Sequence, residues 1–415
     1  MNDEDEHSTA TPTRRDYVKY GSAIIGGGLL SGCSEESGPE SSATQTTAGD
    51  TTTPGETTTL EDDSYSVTLS PMDEVIFEEV PETAYAYSPH YADMAVAFGH
   101  RDAIASLGSP DAYVTSMNYY YDAIDGASIE SDDLRAVWSD GVDKELFYDL
   151  DADVHFQDPC WLTSFAQNWE QEDIEEVREN IGPWFGNRYS REHTQPPEGC
   201  REDYRYYTLW ELSERVAGVF REGRRFEAFR SEYEELYGRI RANLPPESER
   251  PTVGLIVFSD GTFRPYKLNN PGFAKAHLRP FGVQDAFADS DQTYDENEDG
   301  RLDYEAMLAA NPDVILHSQG ISGFFDVAAI RKTLEDHSVG SELTAVQNDR
   351  VYSSGTPFQG PLVHLFQLEM TAKQLYPDIF GEWPADGSED SYPEIPVDER
   401  LFDRERVANI INGEF

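Results

Sequence analysis

The sequence predicts an α/β protein with two lobes, each built on a mostly parallel sheet flanked by helices, joined by one long helix. Short apolar runs of strand length alternate with segments of helical periodicity, which is the pattern of parallel strands covered by helices. Without an N-terminal leader the chain keeps about 350 residues, too many for one small core and enough for two. Residues 204–245 carry a helical stripe of apolar side chains that ends at Pro245-Pro246, so they are predicted to form the connecting helix.

Residues 1–33 have the order of features that is typical of an export signal. Arg14 and Arg15 form a twin-arginine pair, and the uncharged run Gly21–Gly32 is 12 residues long, too short to span a bilayer. The run ends at a lipobox-like Leu-Ser-Gly-Cys, which predicts that Cys33 is lipidated and anchors the chain on the extracytoplasmic face of the membrane. A buried Gly-rich turn with a chance cysteine is the alternative. Residues 34–65, rich in Ser and Thr, cannot bury enough apolar surface to fold and are predicted to be a flexible tether.

The composition indicates a folded protein adapted to high salt. The chain has 31 Lys+Arg against 80 Asp+Glu, a formal net charge of −49, and only 6 of the basic residues are Lys. Aromatic residues make up 12% of the chain, which argues against an acidic disordered protein. High salt screens the self-repulsion of such a chain, so we expect a halophilic source. The charge excludes nucleic-acid binding, which needs a basic surface.

Each lobe begins with a strand that leads into a turn or a helix. The N-terminal lobe is predicted over residues 66–203, where a short strand precedes the helix His90–Gly99. The C-terminal lobe is predicted over residues 250–382 and opens with the β-rich run Pro251–Gly261. Residues 383–415 are left as a C-terminal extension.

One spacing occurs in both halves of the chain. Glu145 is followed eight residues later by Asp153-Val154, and Glu305 is followed eight residues later by Asp313-Val314. In both places the context is a helix that leads into a strand. The matching context indicates a duplicated lobe, although Glu–Asp spacings alone can arise by chance in so acidic a chain.

With Cys33 assigned to a lipid, Cys160 and Cys200 are the remaining cysteines. Outside the cell an even pair of cysteines usually forms a disulfide, so this pair is predicted to be bridged. Two free buried thiols are the alternative.

Three segments of the C-terminal half carry a family resemblance. They are LDYEAMLAANPDVILHSQG, LTAVQNDRVYSSG and FQGPLVHLFQLEMTAKQLYPDIFGE. They resemble the C-terminal lobe of ABC-transporter substrate-binding proteins of the ferric-siderophore and cobalamin type, here as a haloarchaeal-type lipoprotein. SPHYADMAVAFG and DKELFYDLDADVHF extend the resemblance to the first half, over roughly Thr83 to Glu382. The resemblance implies a bilobal receptor that binds its ligand between the lobes and moves little on binding.

Ligands of α/β sheets bind beyond the carboxyl ends of the strands, so residues that follow predicted strands are the candidates for ligand contact. They are His90, Tyr119, Tyr120, Tyr121, Trp161, Arg264, Tyr266, Gln319, Phe324 and Phe358. Aromatic walls with Arg or Tyr donors suit a bulky, polar metal chelate. Packing in the core is the alternative for each aromatic residue.

The resemblance also implies a partner for the duplicated helix. Family members carry an acidic residue on top of each lobe that docks onto arginines of the membrane permease. Glu145 and Glu305 match that motif and are the predicted docking residues. Two solvated acidic residues among 80 are the alternative.

Two patterns raise the question of direct metal binding. Asp295, Asn297, Asp299 and Asp303 occupy positions 1, 3, 5 and 9 of a loop that resembles an EF-hand, which makes them a weak calcium candidate. Position 12 is Ala306 instead of the usual Glu, so an acidic halophilic loop is the alternative.

Histidines near predicted strand ends are the second pattern. His90, His155 and His317 could hold Zn²⁺ or Fe if they faced one cleft, and the Tyr119–Tyr121 cluster could hold ferric ion. No close His-x-His spacing supports a metal site, so buried or surface histidines remain the alternative.

We therefore expect a monomeric, lipid-anchored receptor that delivers a ferric siderophore to an ABC permease and has no resident cofactor. Cobalamin, haem or a free Fe or Zn ion are alternative ligands within the same class. An enzyme is not expected, because the chain has no Gly-x-Ser-x-Gly, His-Glu-x-x-His or phosphate-loop motif. An extracellular enzyme on this scaffold and an adhesive surface protein are the less favoured alternatives.

Overall fold

The computed structural model describes residues 63–137, 142–166, 168–321, 325–384 and 391–415. The predicted signal residues Arg14, Arg15 and Cys33, nearly all of the predicted tether, and Phe324 lie outside these ranges. Within them, no helix is both long enough and apolar enough to cross a membrane.

The N-terminal lobe alternates short strands with short helices. Its strands are β1 (Tyr65–Leu69), β2 (Asp73–Phe77), β3 (Ala84–Ala86), β4 (Ser106–Leu107), β5 (Arg135–Ala136) and β6 (Val154–Phe156). Its helices are α1 (Pro89–Ala97), α2 (Pro110–Tyr121), α3 (Lys144–Leu150), α4 (Pro159–Phe165), α5 (Gln171–Asn180) and α6 (Tyr189–Glu192). β1 and β2 form an antiparallel hairpin, and β3 to β6 pair in parallel.

The parallel strands of this lobe are joined into one layer by isolated bridges. β3 pairs with β6 in the register Ala84–Val154, and β4 pairs with β5 in the register Ser106–Arg135. A parallel bridge between Ala84 and Ile104 places β4 beside β3. All residues of β3 and β6 are buried, as expected for short parallel strands covered on both faces.

Two helices in succession connect the lobes. They are α7 (Leu209–Val219) and α8 (Gly223–Asn243), and α8 is the long helix of the predicted architecture. The run 204–245 that the apolar stripe predicted as one helix is therefore divided. The chain breaks at Arg221, which adopts a left-handed conformation with φ of 57°, while the N–H groups of Arg221 and Glu222 return to carbonyls of the last turn of α7. The apolar pattern does not reveal the break between α7 and α8, because the interruption is shorter than one helical turn.

The C-terminal lobe has longer strands. They are β7 (Thr252–Ser259), β8 (Thr262–Tyr266), β9 (Gln284–Asp285), β10 (Val314–His317) and β11 (Val351–Ser353). The helices that follow α8 are α9 (Tyr304–Ala310), α10 (Val327–Asp336), α11 (Thr344–Gln347), α12 (Pro361–Leu375), α13 (Pro377–Phe380) and α14 (Arg404–Asn412). α9, α10 and α11 belong to this lobe, whereas α12 and α14 pack beyond it.

The sheet of the C-terminal lobe has the order β11-β10-β7-β8. β11, β10 and β7 are parallel, and β8 returns antiparallel to β7 through the two-residue turn Asp260-Gly261. Both turn residues have positive φ, 51° and 74°, which is the conformation that an Asp-Gly hairpin turn favours. The carboxyl ends of the three parallel strands therefore lie at one edge of the sheet. The predicted two-lobed α/β class is confirmed.

One hydrophobic core runs through both lobes. The same cluster of buried side chains includes Val96 of α1, Leu255 of β7 and Leu316 of β10. α12 is buried along its whole length and packs against α1, α2, α7 and α8. Smaller clusters around Trp184 and Leu334 cover the outer faces of the two sheets. The lobes thus share a base instead of meeting only at a hinge.

The C-terminal extension folds back onto this base. The N–H of Tyr392 donates to the carbonyl of Tyr119 on α2 at 2.8 Å, and α14 packs on α8. Arg404 donates to the Glu369 carboxylate on α12 at 2.8 Å, and the same carboxylate accepts from Tyr392 Oη and from the N–H of Leu401. The extension therefore contacts helices of both halves of the chain, and its buried ion pair attaches it to α12.

We expect Arg404→Met to lower the free energy of unfolding by about 3 kcal/mol, because it leaves a buried carboxylate without its counter-charge. The side chains of Arg404 and Glu369 are 6% and 0% exposed. The matched control is Lys332→Met, which breaks the pair with Asp336 on a helix surface where both side chains are about 70% exposed. The control should cost less than about 0.5 kcal/mol. Urea unfolding in molar salt gives both values, and equal effects would show that the extension is not part of the core.

Candidate functional site

A cavity of about 490 Å³ lies between the lobes, at the carboxyl ends of β7, β10 and β11. The N-terminal lobe contributes Tyr113 from α2 and Arg191 and Glu192 from α6. The C-terminal lobe contributes side chains that follow its strands, including Arg264, Tyr266, His277, Gln319, Phe325 and Phe358. Both the position and the mixture of aromatic and polar groups are those of a ligand site in an α/β protein.

Strand β8 forms one wall of the cavity. Arg264 and Tyr266 are two residues apart, so their side chains lie on the same face of the strand. The Arg264 guanidinium lies 5.3 Å from the centre of the Tyr294 ring, and the Lys275 ammonium lies 5.4 Å from the centre of the Tyr266 ring. These contacts between cations and aromatic faces hold the wall in one arrangement.

Lys275 is a structural cation at the edge of the cavity. Its side chain is 7% exposed, and its Nζ donates to both Asp295 carboxylate oxygens, at 2.8 and 2.9 Å, and to the carbonyl of Lys267. The Asp295 carboxylate also accepts from the N–H of Lys267 and from Asn270. Lys275 has therefore used its three donors to fix the loop that bears Asp295.

Helix α6 brings Arg191 across to the other lobe. Its guanidinium lies 4.3 Å from the centre of the Phe358 ring, and its Nη1 is 2.7 Å from a Glu192 carboxylate oxygen. Gly272 permits this approach, because a Cβ at that position would lie 2.3 Å from the Arg191 carbonyl oxygen. Arg191 and Phe358 thus form a contact between the lobes at the rim of the cavity.

A second arginine lies behind the first. Burial, and then the charge of Arg191, lower the pKa of Arg188 to about 10. Its backbone N–H donates to Asp158 Oδ2 at 2.8 Å, and its guanidinium lies 5.3 Å from the centre of the Trp161 ring. Nε and Nη1 of Arg188, and Nε of Arg191, are buried and have no hydrogen-bond partner in the described part of the chain.

A buried amide network fixes the protonation of His277. Gln359 Nε2 donates to the carbonyls of Phe273 and Ala274, which sets the orientation of the amide, and it lies 3.1 Å from His277 Nδ1. Since an N–H faces it, His277 Nδ1 must carry the lone pair. Burial, with the charge of Arg279, lowers the pKa of His277 to about 3, so the neutral ring carries its proton on Nε2.

Four of the residues predicted to contact ligand, Arg264, Tyr266, Gln319 and Phe358, line this one cavity. Trp161 does not line it. Trp161 stacks on Phe165 at 4.4 Å between ring centres and contacts the Tyr87 ring. Phe324 lies outside the described residues, and its neighbour Phe325 lines the cavity.

The remaining predicted ligand residues are in the core, which corrects the expectation from their sequence positions. Tyr119, Tyr120 and Tyr121 are buried on α2, and none of the three lines the cavity. His90 is fully buried on α1, where burial lowers the pKa of its ring well below the usual value. Strand ends were the wrong guide for the three tyrosines, because their side chains belong to the shared core, and the His90 ring packs against Tyr91 and Phe273.

Tyr121 instead supports a buried carboxylate that joins the lobes. Its hydroxyl donates to Asp93 Oδ1 on α1 at 2.5 Å, and the N–H groups of Leu362 and Val363 in the first turn of α12 also donate to Asp93. Gly360 allows the approach, since a Cβ there would lie 2.3 Å from Asp93 Oδ2. Asp93 on α1 therefore caps the start of α12.

The sequence did not indicate Tyr113, Arg191, Glu192, Lys275 or His277 as cavity residues. Arg191 and Glu192 lie on a four-residue helix that does not follow a strand, so a search for residues at strand ends does not find them. A usable signal was present: Arg188 and Arg191 are close together among aromatic residues in a chain that has few basic residues.

Cys160 of α4 and Cys200 form a disulfide with Cα atoms 6.3 Å apart. The bond ties the start of α4 to the segment that precedes α7. Asp158, the N-cap of α4, accepts from the N–H of Cys160 and from Tyr204 Oη, so the same region holds the backbone of Arg188.

Glu145 and Glu305 occupy equivalent positions in the two lobes. Each is exposed in the first turn of a helix capped by an aspartate, Asp143 or Asp303, and each helix leads into a buried parallel strand. The repetition extends to the strand entrance, where a carboxylate in each lobe, Asp153 and Asp313, accepts a backbone N–H from the neighbouring strand or its lead-in. The duplicated helix–strand unit is present in the structure.

Several of the side chains considered for metal binding have other partners. Asp295 binds Lys275, and Asn297 and Asp303 accept backbone N–H groups within their own turn or helix cap. His155 Nδ1 contacts the carbonyl of Gly182, and His317 Nε2 accepts from the N–H of Phe258. Across the described ranges, no three His, Cys, Asp or Glu side chains are grouped so as to hold a metal ion.

Comparison with known proteins gives the class of the fold. No family model matches the chain, and no curated protein matches it. Solved structures do match, and the fold is that of bilobal periplasmic substrate-binding proteins.

Three of the matching structures are a periplasmic binding protein from Veillonella parvula, the petrobactin-binding protein YclQ from Bacillus subtilis and the iron uptake ABC transporter substrate-binding protein PiuA from Streptococcus pneumoniae. The first is 14% identical with a TM-score of 0.56, covering 80% of this chain and 95% of that one. The second is 12% identical with a TM-score of 0.53, covering 76% and 99%. The third is 15% identical with a TM-score of 0.50, covering 75% and 97%. At these identities the likeness establishes the fold.

The buried Asp93 carboxylate should make stability depend on pH near neutrality. Burial raises its pKa from 3.8 to about 7, so the folded state binds the proton more tightly than the unfolded state. The free energy of unfolding should therefore fall as pH rises from about 4 to about 7, and the contribution is lost above that range. Asp93→Asn removes the titration, so urea unfolding of this variant should change less between pH 5 and pH 8 than that of wild type.

The control for this experiment is Asp111→Asn, an exposed aspartate on α2, which should keep the wild-type pH dependence. If wild type and Asp93→Asn lose stability in parallel, Asp93 does not take up the proton.

Proposed function

We propose that this protein is an extracytoplasmic solute-binding receptor that captures a ferric siderophore between its lobes and delivers it to an ABC importer. The observation that carries the proposal is the cavity at the strand ends, which combines an aromatic wall with cationic donors. Aromatic rings pack against the periphery of a bulky chelate, and Arg or Tyr donors bind its oxygens. In this proposal the ferric chelate is cargo and not a resident cofactor.

Similar structures support a transport role. One matching protein is described as an iron uptake ABC transporter substrate-binding protein and another as a petrobactin-binding protein. The first description names a transport system and the second names a bound ligand, so both favour a receptor over an enzyme for the present chain. Free Fe or Zn is the less favoured cargo, because the described residues offer no cluster of metal-ligating side chains.

The proposed location follows from the leader. Arg14, Arg15 and Cys33 belong to a twin-arginine lipoprotein pattern, and we propose that the mature chain is held on the outer face of the membrane by its lipid as a monomer. A tether from Cys33 would let the receptor reach the permease while its lobes stay in the external medium.

Titration with ferric chelates tests the receptor role. The full chain with Cys33→Ser, which blocks lipidation, is titrated in molar salt while its Trp fluorescence is recorded. Saturable quenching by a ferric chelate with micromolar or tighter affinity is expected. Phe358→Ala should weaken that affinity about tenfold, because it removes the ring between the cavity and Arg191.

The matched control for Phe358→Ala is Tyr120→Phe. Tyr120 is fully buried away from the cavity, and its hydroxyl has no hydrogen-bond partner among the described residues. This control should bind as wild type does. No saturable response to any ferric chelate, with cobalamin and haem in the same panel, would refute the siderophore assignment.

Charge reversal tests the permease contact. We propose that Glu145 and Glu305 bind permease arginines, so Glu145→Arg with Glu305→Arg should reduce cellular uptake of radiolabelled iron chelate about tenfold or more. Chelate affinity of the purified variant should not change, since both residues are exposed and neither lines the cavity. Glu335→Arg, an exposed position on α10, is the control. Normal uptake by the double variant would contradict the proposed docking role of Glu145 and Glu305.

A further inference from the structure

The charge of the cavity is opposite to the charge of the protein. The chain has 80 acidic and 31 basic residues, yet the described residues that line the cavity include Arg191, Arg264 and Lys275 against one carboxylate, Glu192. Lys275 is neutralised by Asp295. Arg191 pairs with Glu192, whereas Arg264 forms no ion pair with a carboxylate among the described residues. A local excess of positive charge in so acidic a chain points to a negatively charged occupant.

The N-terminal lobe adds buried donors that need an acceptor. The charge of Arg191 lowers the pKa of Arg188, and Arg191 Nη1 lies 2.7 Å from a Glu192 carboxylate oxygen. Nε and Nη1 of Arg188 and Nε of Arg191 have no partner in the described ranges. The Asp158 carboxylate does not bind these nitrogens, because its oxygens accept backbone N–H groups and Tyr204 Oη. Arg191 lines the cavity, so an anionic oxygen in the cleft would satisfy its Nε.

The C-terminal lobe supplies a neutral donor to the same space. His277 lines the cavity, and its Nε2, which carries the proton, is buried without a partner among the described residues. The two lobes therefore both present N–H donors, and the ligand has to supply oxygen acceptors.

We propose that the ligand is an anionic chelate of the catecholate or carboxylate class, with its negative oxygens bound by Arg191 on one lobe and Arg264 on the other. This inference rests on the proposed receptor function. A neutral tris-hydroxamate chelate would leave the Arg264 charge without a counter-charge, whereas an anionic chelate supplies one. The cleft thus selects by charge within the siderophore class.

Salt should raise the affinity of the protein for an anionic chelate. The −49 charge of the whole chain repels an anionic ligand at long range, whereas the cleft attracts it at short range. The screening length falls from about 10 Å at 0.1 M salt to about 3 Å at 1 M, so salt removes the long-range repulsion first. Buried contacts are screened much less. Affinity for an anionic chelate should therefore rise about threefold or more between 0.5 M and 3 M KCl, and affinity for a neutral chelate should not.

The test compares two synthetic ferric chelates of different charge on the full chain with Cys33→Ser. In 3 M KCl the trianionic tris-catecholate should bind about 100-fold more tightly than the neutral tris-hydroxamate. Arg191→Gln and Arg264→Gln should each weaken tris-catecholate binding about tenfold and change tris-hydroxamate binding less than about threefold. Arg178→Gln, at a position on α5 that is 57% exposed, is the matched control and should change neither. Near-UV circular dichroism at each salt concentration verifies that the protein is folded.

The outcomes separate the two proposals. Equal or tighter binding of the neutral chelate, or tris-catecholate binding that is indifferent to both Arg variants, would overturn the anionic assignment and leave the receptor function standing. Failure of both chelates to bind would overturn the receptor function itself. Arg264→Gln keeps the test valid if Arg191→Gln does not fold, because Arg264 is only half-buried on β8.

Discussion

A buried carboxylate on α1 caps α12, a helix of the base that both lobes share, and the geometry of the cavity depends on it. Asp93 on α1 accepts the N–H groups of Leu362 and Val363 at the start of α12. Phe358 stands only a few residues before that start, so fixing α12 also fixes one side of the cavity. Since α12 is buried in a core that both lobes share, large hinge closure would expose apolar surface along the whole helix. The cavity is therefore largely formed before a ligand enters.

The sequence was sufficient to predict the architecture because each helix and strand is determined mainly by residues that are close together in the chain. The segment Asn311-Pro312-Asp313-Val314 predicts the end of a helix and the start of a strand, and in the structure a helix ends and a strand begins at these residues. The sequence did not predict contacts between residues that are distant from each other in the chain. The helix break uses Arg221 in a left-handed conformation where glycine is the usual residue, and the C-terminal extension is fixed by Glu369, a buried charge whose partner Arg404 lies 35 residues away.

The candidate site was accessible to sequence reasoning on one lobe only. Arg264, Tyr266 and Gln319 follow or belong to strands of the C-terminal sheet, so the rule of strand ends finds them. On the N-terminal lobe the cavity is lined by helix residues, and a helix does not reveal from its sequence which side meets a cleft. The Tyr119–Tyr121 run shows the difficulty, because three consecutive tyrosines on a helix cannot all face one direction, and here all three are buried in the core.

The positions of Arg188 and Arg191 depend on a series of contacts, and the proposed export of the protein favours the first of these contacts. An extracytoplasmic location favours the Cys160–Cys200 disulfide, which fixes the start of α4. The N-cap of that helix, Asp158, holds the backbone of Arg188 at 2.8 Å, and Arg191 follows one turn later. Two guanidinium groups that repel each other keep their places only if the backbone beneath them is fixed. The disulfide is thus a support for the ligand site as well as for the fold, and its loss should loosen the arginine pair before it unfolds the lobe.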